Sequence, residues 1–86
     1  MKIYKIKYTG NDYKLKHYDY KKVKENQKLF YCKNNNVELV SIVKIYPGKP
    51  SIPESYTIKI IDSNDNERLN REINVPHKSK KLYEII

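Results

Sequence analysis

Apolar and lysine side chains alternate near the start of this chain, and that alternation limits its fold more than any other feature. Tyr4, Ile6 and Tyr8 occupy every second position, with Lys5 and Lys7 between them. A period of two places the apolar residues on one face of an extended strand. The sequence therefore predicts a half-buried β-strand here.

Short stretches of the same kind recur along the chain, with polar turns between them. A turn at residues 9–12 precedes residues 13–20, which we interpret as a strand; the alternative is a short helix with Leu15 and Tyr18 on one side. Further strands are predicted at residues 29–33, 37–46 and 56–61. The predicted connections are turns at residues 34–36 and 62–66 and a proline-bearing loop at residues 47–53.

Residues 37–46 form the strongest predicted strand, and both of its faces are partly apolar. Val37, Leu39, Val43 and Ile45 are expected on one face, and Val40 with Ile42 on the other. A strand that is apolar on both faces is covered on both sides, as in a small closed barrel.

The remaining segments complete an all-β domain. Residues 67–75 are interpreted as a narrow strand and a single helical turn, ended by Pro76, and the apolar residues 82–86 are expected to close the sheet. Short strands with polar turns indicate a barrel or a sandwich, and 86 residues favour a barrel. We predict one domain, with an N-terminal basic hairpin or arm at residues 1–26 and a barrel with a C-terminal tail at residues 27–86.

The order of features in residues 27–70 resembles the SH3-like small barrels of the Tudor-like type. The resemblance lies in Leu29-Phe30-Tyr31, the strand end Val43-Lys44-Ile45-Tyr46, the proline loop, the strand Ser55-Tyr56-Thr57-Ile58-Lys59-Ile60, an acidic turn and Glu67-Arg68. It implies a five-stranded antiparallel barrel. It also implies a peptide site in which aromatic side chains surround a cation, methylated or not. The residues implied for that site are Tyr31, Tyr46, Tyr56, Asp62 and Asp65.

The sequence offers no pattern typical of an enzyme, a cofactor or a metal site. Cys32 lies in an apolar run, and one cysteine with two scattered histidines cannot form the usual four-ligand zinc site. With only Gly10 and Gly48, a phosphate-binding glycine loop is not possible. We therefore predict a non-enzymatic binding module with no catalytic residues, cofactor or metal.

The formal net charge of +8 favours a polyanionic partner. Lysines alternate with tyrosines in the N-terminal quarter, and this combination suits single-strand binding because lysines neutralise phosphates while aromatic rings stack on bases. The predicted nucleic-acid contacts are Lys5, Lys7, Lys14, Lys16, Tyr18, Lys21, Lys22 and Lys24. Sixteen of the eighteen cations are lysines, so binding is expected to be largely independent of sequence.

Two other functions remain open at this point: the peptide-binding module described above, and an accessory or inhibitory protein that covers a partner's surface. The chain has no secretory signal pattern and no apolar run long enough for a membrane span. We therefore expect an intracellular protein, of the cytoplasm or the nucleus, without a membrane partner.

Overall fold

A computed structural model describes residues 2–33 and 36–86. Its strands are β1 (Tyr4–Tyr8), β2 (Asn11–His17), β3 (Lys28–Lys33), β4 (Asn36–Tyr46), β5 (Ser55–Asp62), β6 (Glu72–Pro76) and β7 (Leu82–Ile85). They form one antiparallel sheet in the order β1-β2-β7-β3-β4-β5-β6. The all-β prediction is confirmed. The sheet has β1 and β6 at its edges and is not closed, so the five-stranded barrel is not confirmed.

Most of the predicted strands are present, and the structure also assigns the segments for which the sequence left more than one interpretation. Residues 13–17 lie in β2, as a strand and not a helix, and β2 ends at His17. β2 begins at Asn11, so the predicted turn at residues 9–12 is confirmed only for Thr9 and Gly10. A single 3-10 turn at Asn66–Arg68 precedes β6, and Pro76 is the last residue of that edge strand, where proline is tolerated. The tail forms β7, which lies inside the sheet between β2 and β3. The predicted turn at residues 34–36 falls on Asn34 and Asn35, outside the described residues, while Asn36 begins β4.

The main core is formed by one face of β3 to β7, with Tyr18 from the loop after β2. Its members are Tyr18, Leu29, Tyr31, Val40, Ile42, Tyr56, Ile58, Ile60, Val75 and Leu82, and Ile45 packs against them. In β4 it is therefore Val40 and Ile42 that face this core. The other apolar residues of β4 do not all lie together on the opposite face, as the sequence pattern suggested.

A β-bulge in β4 explains this difference. Ile42 pairs with Ile58 and Lys44 pairs with Thr57, which leaves Val43 unpaired and exposed. One extra residue reverses the alternation beyond it, so Ile45 changes to the core face. The prediction that Val43 and Ile45 share a face with Val37 is therefore wrong for Ile45.

A second, smaller cluster lies outside the main core and joins the β1–β2 hairpin to β3. Phe30 and Leu15 are fully buried there. The ring of Phe30 lies 5.1 Å from that of Tyr8 and 5.5 Å from that of Tyr13, between ring centroids. The Tyr8 hydroxyl donates a hydrogen bond to the Asp62 carboxylate at the end of β5. The central strands are thus covered on both faces, by the main core and by the hairpin.

The two-residue turn of the hairpin holds Thr9 in a left-handed backbone conformation that a β-branched residue does not favour. Thr9 and Gly10 have φ values of 50° and 81°, the arrangement of a type I′ turn, which asparagine fits better than a β-branched residue. Thr9→Asn is expected to raise the free energy of unfolding by about 1 kcal/mol. Urea unfolding monitored by circular dichroism checks this, and a loss of stability would contradict the assigned turn.

Candidate nucleic-acid interface

The β1–β2 hairpin presents a row of lysines on one face. The register places Lys5 opposite Lys14 and Lys7 opposite Asp12. Because side chains alternate along both strands, these residues lie on the face opposite to the small cluster around Phe30. Lys5, Lys7 and Lys14 are all exposed. We call these three residues the lysine face.

The charges of the lysine face are poorly compensated. In the described part of the chain, no carboxylate oxygen lies within 4.0 Å of the three ammonium groups. Like charges directly opposite each other in a sheet are unfavourable, and Lys5 with Lys14 is such a pair. Lys16, next along β2, differs because its Nζ lies 3.9 Å from Glu84 Oε1. A bound polyanion would relieve the repulsion at Lys5 and Lys14.

The loop between β2 and β3 carries three more of the predicted lysines. The Lys21 N–H donates to Asp19 Oδ1 and the Lys24 N–H donates to Gln27 Oε1, both at 3.0 Å, so local hydrogen bonds shape the loop. The side chains of Lys21, Lys22 and Lys24 remain exposed. They are available to phosphate groups, although no side-chain partner holds them in one position within the described residues.

Tyr18 is the one predicted contact that the structure removes from the surface. It is only 7% exposed, and its ring packs edge-to-face on that of Tyr56 in the main core. Burial raises the pKa of Tyr18. The Tyr18 ring is therefore not accessible as a stacking platform in this structure. Tyr20, two residues further on, is 36% exposed.

Tyr20 belongs to a groove that sequence reasoning missed. One wall is the last residue of β2, His17, with Tyr18 and Tyr20 from the loop after it. The other wall is the turn between β6 and β7, with Lys78, Ser79 and Lys80. The Lys78 ammonium lies 5.4 Å from the centroid of the Tyr20 ring. We call this the Tyr20 groove. No local signal marks it, since it depends on β7 pairing beside β2.

The pairing of β7 with β2 also concentrates the positive charge. Residues 1–33 contain ten lysines and three acidic residues, and residues 77–86 contain three lysines and one glutamate. Residues 34–76 contain five cations and six acidic residues. The whole excess of positive charge thus lies in β1, β2, β3, β7 and their connections, which are neighbours in the sheet.

The five residues implied for the peptide site do not come together around an open cage. Tyr31 and Tyr56 are buried in the main core, and the Tyr56 hydroxyl donates to the Tyr20 carbonyl oxygen at 3.3 Å. Tyr46 is 41% exposed, with the Lys44 ammonium 5.2 Å from its ring centroid. Asp62 accepts the hydrogen bond from Tyr8, and the Asp65 carboxylate caps the 3-10 turn by accepting from the Glu67 N–H.

The described residues also include one cysteine, two histidines and several acidic side chains. Cys32 is half-buried, and burial raises the pKa of its thiol, which keeps it protonated. Among residues 2–33 and 36–86, no three histidine, cysteine or acidic side chains come close enough to hold a metal ion. The same residues contain no helix that is long and apolar enough to cross a membrane.

Comparisons with protein-family models, with curated proteins and with solved structures gave no match to this chain. The functional interpretation therefore depends on the geometry and charge described above.

Proposed function

We propose that this protein binds nucleic acid through the lysine face and the adjoining loop lysines, largely without sequence specificity. The observation that carries the proposal is the uncompensated pair Lys5 and Lys14, held opposite each other on a hairpin. Phosphate groups are the common biological polyanion that such a row of exposed ammonium groups attracts. Arg68 is engaged with Glu38, which leaves little arginine for bidentate contacts to bases.

We also propose that β3 to β7 are related to the Tudor-like SH3 barrels. Supporting this, β3, β4, β5 and β6 follow one another in the sheet and β7 returns beside β3, which makes five neighbouring antiparallel strands from residues 27–86. Such a relationship does not by itself assign a ligand, because small barrels of this type bind many kinds of molecule. Peptide binding has weaker support, because Tyr31 and Tyr56 are buried and Tyr46 alone of the three tyrosines is exposed.

Removing the lysine face is expected to weaken nucleic-acid binding. The triple variant K5Q/K7Q/K14Q should bind a single-stranded oligonucleotide about tenfold more weakly, because each lysine neutralises one phosphate and releases its counterion. Fluorescence anisotropy at several salt concentrations measures this. The slope of log affinity against log salt should fall in magnitude by about 2, at roughly 0.7 per phosphate on single strands.

The matched control removes the same charge from the nearly neutral middle of the chain. Lys44, Lys49 and Lys59 are all exposed and lie outside the lysine face and the loop. The triple variant K44Q/K49Q/K59Q should change the affinity for the oligonucleotide by less than about threefold, since these lysines are not expected to contact nucleic acid. Equal losses in the two triple variants would mean that only total charge matters, and affinity that does not fall with salt would exclude phosphate binding.

A further inference from the structure

The Tyr20 groove combines an exposed aromatic ring with two lysines that lack acidic partners. In the described residues no carboxylate oxygen lies within 4.0 Å of the Lys78 or Lys80 ammonium. These two residues come from the turn before β7, whereas Tyr20 comes from the loop after β2. The groove is therefore a composite surface made by two distant parts of the chain.

The position of Tyr20 is fixed although its ring is partly exposed. Its carbonyl oxygen accepts the hydrogen bond from the buried Tyr56 hydroxyl. Its ring lies edge-to-face with that of His77, with centroids 5.5 Å apart and planes at 73°. His77 is held in turn by its backbone N–H, which donates to the Glu54 carbonyl oxygen at 3.1 Å. An aromatic ring already held in place loses little conformational entropy when a flat ligand stacks on it.

Lys78 is the group that a ligand would displace from this ring. Its ammonium interacts with the exposed Tyr20 ring, and a cation–π contact at an exposed site is weak. A phosphate draws the ammonium more strongly, because both groups carry full charges. Movement of Lys78 to a phosphate would free a face of Tyr20 for a base.

We infer that the Tyr20 groove binds one unpaired nucleotide, with its base stacked on Tyr20 and its phosphate between Lys78 and Lys80. This inference rests on the proposed nucleic-acid function and adds to it a preference for single strands over duplexes. The lysine face contacts only backbone and accepts single strands and duplexes alike. Bases inside a duplex are already stacked on their neighbours, so only a single strand can use Tyr20.

Replacing Tyr20 is expected to remove the preference for single strands. Anisotropy with oligothymidylate of about 15 nucleotides, within the range that one small domain covers, is compared with a duplex of equal length. The wild-type protein should prefer the single strand. Tyr20→Leu should weaken single-strand binding about tenfold, which is within the effect of losing one base–aromatic stack, and should leave duplex binding unchanged.

Three further variants separate stacking from other effects. Tyr20→Phe keeps the ring and should bind like the wild-type protein. Tyr46→Leu is the matched control. Tyr46 is about as exposed as Tyr20 and also has a lysine ammonium over its ring, but it does not line the groove. The double variant K78Q/K80Q should weaken single-strand binding several-fold. Because it changes only exposed side chains, it still tests the groove if Tyr20→Leu does not fold.

The outcomes distinguish this inference from the function on which it rests. A single-strand preference that disappears in Tyr20→Leu and persists in Tyr46→Leu supports it. Equal affinity of the wild-type protein for single strand and duplex, or an unchanged preference in both Tyr20→Leu and K78Q/K80Q, overturns the groove and leaves the lysine face in place. A wild-type protein that binds neither molecule overturns the nucleic-acid function and the groove together.

Discussion

Replacing Arg68 by methionine is expected to lower the free energy of unfolding by about 3 kcal/mol, because it leaves a buried carboxylate without its partner. Glu38 is only 3% exposed and pairs across the sheet with Tyr31. Arg68 binds it through two nitrogens, with Nε 2.8 Å from Oε2 and Nη2 2.9 Å from Oε1. The Ser63 hydroxyl also donates to Glu38, at 2.6 Å. Urea unfolding at neutral pH measures the loss.

Arg71→Met is the matched control for this prediction. Arg71 is exposed and has no ion pair within the described residues. Its replacement is expected to change stability by less than about 0.5 kcal/mol, as is usual for exposed positions. The double variant Glu38→Leu/Arg68→Met should be more stable than Arg68→Met alone, because it removes the buried charge as well as its partner. Equal losses in Arg68→Met and Arg71→Met would contradict the role of the pair.

The loss in free energy of unfolding caused by Arg68→Met should also depend on pH. Burial raises the pKa of Glu38, but the hydrogen bonds from Arg68 and Ser63 outweigh burial, so the net pKa is lowered. A carboxyl whose pKa is lower in the folded than in the unfolded state stabilises the fold at pH values above its unfolded pKa. That contribution is lost as the pH falls through the folded pKa. The stability gap between wild-type protein and Arg68→Met should therefore be full at neutral pH and narrow in acid.

The local parts of this fold could be predicted because they depend on neighbouring residues. Alternation of tyrosine and isoleucine with lysine is enough to identify β1, and residues 9–12 indicate the turn after it, although Asn11 and Asp12 already belong to β2. The bulge at Val43 has no comparable signal, since it is visible only in how β4 pairs with β5. That single unpaired residue decides which face Ile45 occupies.

In the candidate site, too, the features set by neighbouring residues could be predicted and those set by distant contacts could not. The positions of Lys5, Lys7 and Lys14 follow from the period of a strand, so the sequence could place them on one face. The burial of Tyr18 could not be predicted, because tyrosine suits both a core and a surface and its place depends on packing against Tyr56. The Tyr20 groove was not predictable either, since it requires β7 to lie beside β2, far away in sequence.

Phe30 should be the residue on which attachment of the hairpin depends. In β3, Leu29 and Tyr31 face the main core, while Phe30 points to the other side and contacts the Tyr8 and Tyr13 rings. It is 2% exposed, so truncation would leave a cavity between the hairpin and β3. The hairpin carries the lysine face, so loss of this contact would also release that face from its position on the sheet.

Phe30→Ala is expected to cost about 4 kcal/mol, the usual loss for a buried phenylalanine, which is a large fraction of the stability of a domain this small. Phe30→Leu keeps most of the side-chain volume and should lower the free energy of unfolding by only about 1 kcal/mol. This variant should therefore still fold and can be used for hydrogen exchange. Hydrogen exchange in Phe30→Leu should speed up first in β1 and β2, because their amides lose packing before those of β4 and β5 do. Uniform acceleration over all seven strands, or a loss of under 1 kcal/mol or so in Phe30→Ala, would mean that the hairpin is held by its ladder to β7 and not by this aromatic cluster.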